Sequence, residues 1–230
     1  MTTVIFWDID GTLLTTARAG IHAWEDAVAE RTGKAVDLTE FQTAGLTDVD
    51  ISRRLAVLHG LDPSVADELL LGYETRLAGS LAQRTGAVLP NVRQILERLR
   101  HRPDVHSSLL TGNTRAGAAA KLRHYGLAEF FEGGAFADGA EDRAAIARTA
   151  LAQVGSILGA VSAERVYVIG DTPHDVSCGK AIGARVVAVA TGGYTLDQLR
   201  LTDPWWLLPS LPPPDEFLAR LGLSPSLESV

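Results

Sequence analysis

Four short apolar runs punctuate the chain: Thr3–Trp7, Val105–Leu110, Arg165–Ile169 and Arg185–Ala190, each followed closely by Gly, Asp or Thr. Runs of this length without polar alternation predict strands buried on both faces of a parallel sheet. Between them lie stretches with helical spacing of apolar residues, at Asn91–Arg100, Arg115–His124, Arg143–Val154 and Pro173–Ile182. Strand alternating with helix in this order predicts an α/β fold with a doubly wound parallel sheet. Such sheets bind ligands beyond the carboxyl ends of their strands, where Asp8, Thr111 and Asp171 would all stand.

The alternation fails between Leu14 and about Val88. That interval holds three helix-like stretches, Ile21–Arg31, Asp48–His59 and Ser64–Arg84, and no convincing strand. It reads as an all-α cap domain, residues 16–87, inserted after the first strand, with hinges near Thr15–Ala19 and Thr85–Pro90. The α/β core is then 1–15 together with 88–230. The stretch Leu201–Leu221, with Pro204, Trp205, Trp206 and Pro212–Pro214, predicts an edge strand, a turn and a last short helix, its tryptophans serving as packing groups.

Composition narrows the classes of function. The formal net charge of −7 argues against a general nucleic-acid or anionic-membrane surface, which needs a basic field. Hydrophobic residues are 46% of the chain, enough for a sizeable core. The single cysteine, Cys178, permits no internal disulfide, and no run of apolar residues reaches the roughly 20 that span a bilayer. The opening MTTVIFWDIDG has no charged segment leading into a secretory core, so the default expectation is a cytoplasmic protein.

The first strand ends in FWDIDGTLL. Residues two apart on an extended chain point the same way, so Asp8 and Asp10 face one pocket, and Gly11 lets the backbone turn closely around a ligand. In YVIGDTPHDV, Asp171 ends another strand and Asp175 opens a helix. Four carboxylates would then converge. Two like charges about 4 Å apart repel by roughly 4 kcal/mol at an effective dielectric of about 20, so such a cluster demands a cation or large pKa shifts. Mg²⁺ fits, since it takes oxygen ligands and bridges carboxylates to phosphates. In LLTGNT the Thr111 hydroxyl and the amides of Gly112 and Asn113 end a strand and open a helix, a geometry suited to an anion.

A fixed cation is also required, and the lysines are only Lys34, Lys121 and Lys180. Lys121 lies ten residues past Thr111, about 15 Å along a helix at 1.5 Å per residue, beyond comfortable reach. Arg143, at the expected start of the helix before the Asp171 strand, is preferred on this count. Alone, the other groups have plainer readings. Asp171 and Asp175 suit an N-cap and a first helical turn, with Pro173 early in the helix. His174 is expected to face solvent and Cys178 to fill the core.

Taken together, DIDGT, LLTGN and GDTPHDV resemble the first, second and fourth motifs of the haloacid dehalogenase superfamily, in its phosphoglycolate-phosphatase-like branch with a helical cap. That family usually has lysine, often followed by proline, where Arg143 is placed here. AGLTDVDI, residues 44–51, is similar to the family's cap specificity loop, which often carries a basic residue where this chain has Leu46. The resemblance implies that Asp8 is the nucleophile, forming an aspartyl-phosphate, and that Asp10 is the general acid and base. It also implies Mg²⁺ held by Asp8, the Asp10 backbone carbonyl and Asp171, with Asp175 in support. Thr111, Gly112, Asn113 and Arg143 would hold the phosphoryl oxygens, with Lys121 the alternative cation. Leu46, Thr47 and Asp48 are substrate contacts on this reading and a loop-to-helix cap on the plainer one. The expected substrate is a small phosphorylated metabolite. A phosphomutase keeps the same acids; a dehalogenase would need neither Asp10 nor Asp171; a partner-binding protein would not need the acids intact. No G-x-G-x-x-G follows the first strand, which disfavours a nicotinamide-binding protein.

Overall fold

The computed structural model describes residues 2–139 and 142–223, so the last seven residues assigned to the core lie outside the described part. A six-stranded sheet forms its centre, built from β1 (Thr3–Trp7), β4 (Val105–Leu110), β5 (Gly134–Ala135), β6 (Val166–Gly170), β7 (Arg185–Val189) and β8 (Trp206–Leu208). Its order is β5-β4-β1-β6-β7-β8, and every neighbouring pair is parallel. The chain therefore winds outward from β1 in both directions, and the switch point lies at the carboxyl end of β1, between β4 and β6.

Every residue of β1 is buried because both faces of the sheet are covered. Ile5 and Trp7 belong to the cluster under α4 (Val92–Arg100), α5 (Arg115–His124) and α9 (Pro214–Arg220), while Val4 and Phe6 face α6 (Arg143–Leu158) and α7 (Pro173–Ala181). The alternation follows from the two-residue period of a strand. Trp205 and Trp206 pack on the first of these clusters, Trp205 edge-on to Tyr167 with ring centroids 5.5 Å apart, so they are packing groups as expected. A five-residue helix, α8 (Leu196–Arg200), precedes β8 and went unread in the sequence. It is too short for a 3.6-residue period to register.

Between β1 and α4 run α1 (Ala19–Thr32), α2 (Asp48–Leu58) and α3 (Ala66–Ala82), which enclose a separate apolar cluster centred on Trp24, Leu55, Tyr73 and Leu77. Trp24 and Tyr73 stack with centroids 4.2 Å apart and planes within 3°. The expectation that this interval has no strand is corrected at its two ends. Leu14–Thr15 (β2) and Ala87–Val88 (β3) pair antiparallel, a two-residue ribbon that brings both connections to the core side by side. Two residues per strand carry too little pattern to be read. No helix among the described residues is long and apolar enough to cross a membrane.

Candidate active site

The end of β1 starts the site. The Asp8 amide donates to the Ile169 carbonyl at 3.0 Å, which extends the parallel pairing one residue past the strand and fixes Asp8 between β4 and β6. The chain then turns back sharply: the amides of Leu13 and Leu14 both donate to the Ile9 carbonyl, at 2.9 and 3.1 Å. Gly11 makes this turn at φ +79°, and a Cβ there would stand 2.5 Å from Asp171 Oδ2. Only glycine satisfies both constraints.

Asp8, Asp171 and Asp175 are all buried and offer carboxylate oxygens that lie within 4.8 Å of one another. Burial raises the Asp8 pKa to about 7, with Asp175 adding to the rise and Arg143 opposing it. Asp171 is pushed further, to about 9, by burial and then by Asp175 and Asp8. Asp175 is the most tethered. It completes a capping box at the start of α7, accepting from the Thr172 amide at 3.0 Å and hydroxyl at 2.7 Å, and its other oxygen pairs with Arg143. Asp175 thus sits in the first turn of α7 as expected and also joins the acid cluster, whereas the cap of that helix is Thr172 and not Asp171, whose carboxylate meets Thr12 and the backbones of Gly11 and Gly192 instead.

Asp10 lines the same cavity as Asp8. Its Oδ2 accepts from Asn113 Nδ2 at 2.9 Å and from Lys121 Nζ at 2.6 Å, and Lys121 in turn reaches Asn113 Oδ1 at 2.5 Å. Lys121 therefore does reach the site, contrary to the distance expected of a helix running on from Thr111. Helix α5 starts at Arg115, not at Thr111, so Lys121 is six residues in, about 9 Å of rise, and helical side chains lean toward the N-terminus. Burial alone would lower the Lys121 pKa, but Asp10, Tyr73 and Asp48 outweigh it and hold the ammonium above its usual range. Arg143 is also present, paired with Asp175 and 3.8 Å from Asp8 Oδ1. The two cations occupy different halves of one site.

Thr111 is 1% exposed and stands behind the cavity wall. Its hydroxyl accepts from Asn113 Nδ2 at 2.8 Å and, beside Asp8, slightly opposes the rise of that carboxyl's pKa, while Gly112 and Asn113 line the cavity itself. In the insert, Thr47 caps α2, accepting from the Asp50 amide at 3.0 Å, whereas Leu46 and Asp48 line the cavity. Asp48 also ties the insert to the core: its amide donates to the Gly112 carbonyl at 2.8 Å, and its Oδ2 accepts from the Thr114 amide at 2.9 Å. Burial raises its pKa to about 6, with Lys121 pulling the other way.

The cavity, about 500 Å³, thus has a charged floor in the α/β core and a roof from the insert, where Ile21, Trp24, Phe41 and Ile51 give apolar wall and Thr39, Gln42 and Thr43 give hydrogen-bonding groups. Several lining residues went unread in the sequence. Thr191, Gly192 and Gly193 follow β7 just as Asp171 follows β6, so the strand-end rule was available to find them; the Thr191 hydroxyl donates to the Gly11 carbonyl, and Gly192 packs on the Asp171 carboxylate so closely that a Cβ would overlap it. Thr12 donates to Asp171 Oδ1 at 3.4 Å. Tyr73 and Arg18 carried no local signal. His174 is exposed as expected, though its ring abuts Gly45 of the insert. Cys178 is buried among apolar side chains, and burial lifts its thiol to about 11, as befits a filler.

Residues 4–189 match the family profile described as haloacid dehalogenase-like hydrolase. The chain belongs to the haloacid dehalogenase-like hydrolases. Solved structures agree on the fold. CbbY from Rhodobacter sphaeroides, in complex with phosphate, is 19% identical with a TM-score of 0.73, covering 91% of this hydrolase and 95% of CbbY. A predicted phosphoglycolate phosphatase from Haemophilus somnus is 14% identical at TM-score 0.72, covering 95% and 98% of the two chains. A Thermotoga maritima protein assigned as a β-phosphoglucomutase is 20% identical at TM-score 0.64, covering 96% and 99%. No curated protein sequence matches this hydrolase.

Proposed function

We propose that this hydrolase is a Mg²⁺-dependent phosphomonoesterase acting on a small phosphorylated metabolite of the phosphoglycolate or sugar-phosphate kind, in the cytoplasm, through an aspartyl-phosphate. The observation that carries the reading is the buried trio Asp8, Asp171 and Asp175 on the floor of a cavity that Asn113, Lys121 and Arg143 also line or border. The donor set fits Mg²⁺: the clustered groups are all carboxylates, and the raised pKa values of Asp8 and Asp171 mark a place where positive charge is wanting. Asp8, the Asp10 backbone carbonyl and Asp171 would hold the ion, with Asp175 orienting the cluster through Thr172 and Arg143. When bound, Mg²⁺ supplies charge that keeps Asp8 ionised and neutralises the phosphoryl oxygens.

The chain's own groups then divide the work. Asp8 attacks phosphorus as the ester P–O bond breaks, and Asp10, oriented by Lys121 and Asn113 and entering this step as the carboxylic acid, gives its proton to the departing oxygen and is left as the carboxylate. Asp10 next takes a proton from the water that attacks the Asp8-linked phosphoryl group, and the bond to Asp8 breaks. The Gly112 and Asn113 amides, Lys121 and Arg143 face the phosphoryl oxygens, preorganised charge that is strongest where water is excluded. Asp48 holds the insert down over the site.

Phosphate release from an aryl phosphate and from a panel of small phosphate esters, measured with Mg²⁺ and with chelator, tests the reading. The expected result is metal-dependent turnover that Asp8→Asn abolishes. Transfer of the phosphoryl group to a sugar phosphate in preference to water would instead make this protein a phosphomutase, and metal-independent turnover would remove the acid cluster from the mechanism.

A further inference from the structure

Three cationic residues line the cavity, Arg18, Lys121 and Arg143, and two of them are held by the acids of its floor. Arg18 is not. Among the described residues no carboxylate stands within ion-pair distance of it, and its side chain does not turn back to cap α1, whose start it marks. Its charge is felt weakly at Asp37, whose carboxyl is held low first by Thr39 hydrogen bonds, and Arg18 and Thr39 line the same cavity. The backbone there is unusual. Ala17 and Arg18 adopt φ +48° and +67° in succession, a left-handed pair that residues with a Cβ rarely form and that costs free energy unless the surroundings impose it.

Resting on the phosphoesterase reading, we infer that Arg18 is a specificity residue that pairs with a second anionic group, carboxylate or phosphoryl, on the leaving group of the substrate. The floor of the cavity accounts for one anion, the phosphoryl group under attack. Leu46 brings no charge to the roof, and the apolar and hydroxyl-bearing groups around it suit an uncharged body of the leaving group. An arginine that no carboxylate neutralises, at the wall of a half-enclosed site, gains most from an anion brought in by the ligand, because a planar fork binds such groups in two hydrogen bonds. The substrate is thus anionic at both ends.

The test uses non-hydrolysable ligands, so that it reads Arg18 whether or not the protein turns over esters. Alkylphosphonates with two to five methylene groups, tipped with carboxylate, with a second phosphonate or with an uncharged amide, are titrated calorimetrically into the full chain with Mg²⁺. Wild type is expected to favour an anion-tipped ligand over its amide by about 10-fold, the scale of one charged hydrogen-bonding pair. Arg18→Asn, which tolerates the left-handed backbone, is expected to erase that preference, and Arg18→Lys to restore part of it. The carboxylate and phosphonate arms identify which anion is read. Amide and anion binding equally to wild type at every length, no binding of any anion-tipped ligand, or a preference that survives in Arg18→Asn each overturns the inference. Ester turnover in the same preparation judges the phosphoesterase reading separately.

Discussion

Replacing Lys121 by Met keeps the packing of the side chain and removes its charge. In the folded protein Lys121 Nζ is 2.6 Å from Asp10 Oδ2, a Coulomb attraction of about 6 kcal/mol at an effective dielectric of about 20. Only part of this survives as net stability. The Lys121 side chain is 6% exposed and suffers the desolvation of burial, whereas Asp10 is 43% exposed and is screened by water. Deleting one member of a fully buried pair costs about 3–5 kcal/mol, so the half-exposed acid brings the expected loss to roughly 2–3 kcal/mol. The pH dependence carries the sign. With Lys121 gone, Asp48, already raised to about 6 by burial, rises further. A carboxyl that holds protons more tightly folded than unfolded contributes stability at low pH and loses it as pH climbs through its folded value. The deficit of Lys121→Met relative to wild type is therefore larger at pH 8 than at pH 5. Urea titrations at the two pH values measure it, and turnover should fall by about 10²–10³, the scale for losing one preorganised charge. A deficit below 1 kcal/mol that is the same at both pH values would refute the placement of Lys121 as the counter-ion of Asp10 and Asp48.

The remaining expectations concern the acid cluster. Arg143→Met removes the cation from Asp175 and Asp8, so its Tm should fall in chelator and recover in Mg²⁺ by more than wild type gains; equal losses in both buffers would show that Arg143 acts through packing alone. In chelator, wild type should lose stability as pH rises from about 4 through about 7 for Asp8, and on toward about 9 for Asp171, since the folded state holds these protons longer than the unfolded chain; melting curves at several pH values check the sign, and a Tm that climbs across this window contradicts it. Asp171→Asn should raise the Tm in chelator while weakening Mg²⁺ binding at least tenfold by calorimetry, because it removes repulsion together with a ligand.

The core strands were legible because burial on both faces writes them as unbroken apolar runs, and the strand-end rule then located Asp8, Thr111 and Asp171 without further information. The ribbon of Leu14–Thr15 with Ala87–Val88 and the short strand Gly134–Ala135 were not, since two residues hold no period. Thr47 and Asp48 could be read as a helix cap, but the bond from the Thr114 amide to Asp48 spans 66 residues and exists only in the folded chain. Arg18 was invisible for a similar reason: a positive φ at a non-glycine residue leaves no mark in composition or spacing.

Lys121 shows where a one-dimensional argument breaks. Choosing between Lys121 and Arg143 supposed one cation for one cluster, whereas the acids fall into groups. Asp10 has Lys121, and Asp8 with Asp175 has Arg143. Asp171 has neither. Beyond the carboxylates of Asp8 and Asp175, it meets the Thr12 hydroxyl at 3.4 Å and the close backbones of Gly11 and Gly192, and it carries the highest raised carboxyl value in the site. Counting only Asp8, Asp10, Asp171 and Asp175 as ionised against Lys121 and Arg143, two negative charges stay unbalanced even before Asp48, which also leans on Lys121, and Asp171 is the group without a cation of its own. A single divalent ion beside Asp171 and Asp8 would offset those two charges, and that charge argument is what supports the proposed Mg²⁺ site over a self-neutralised network.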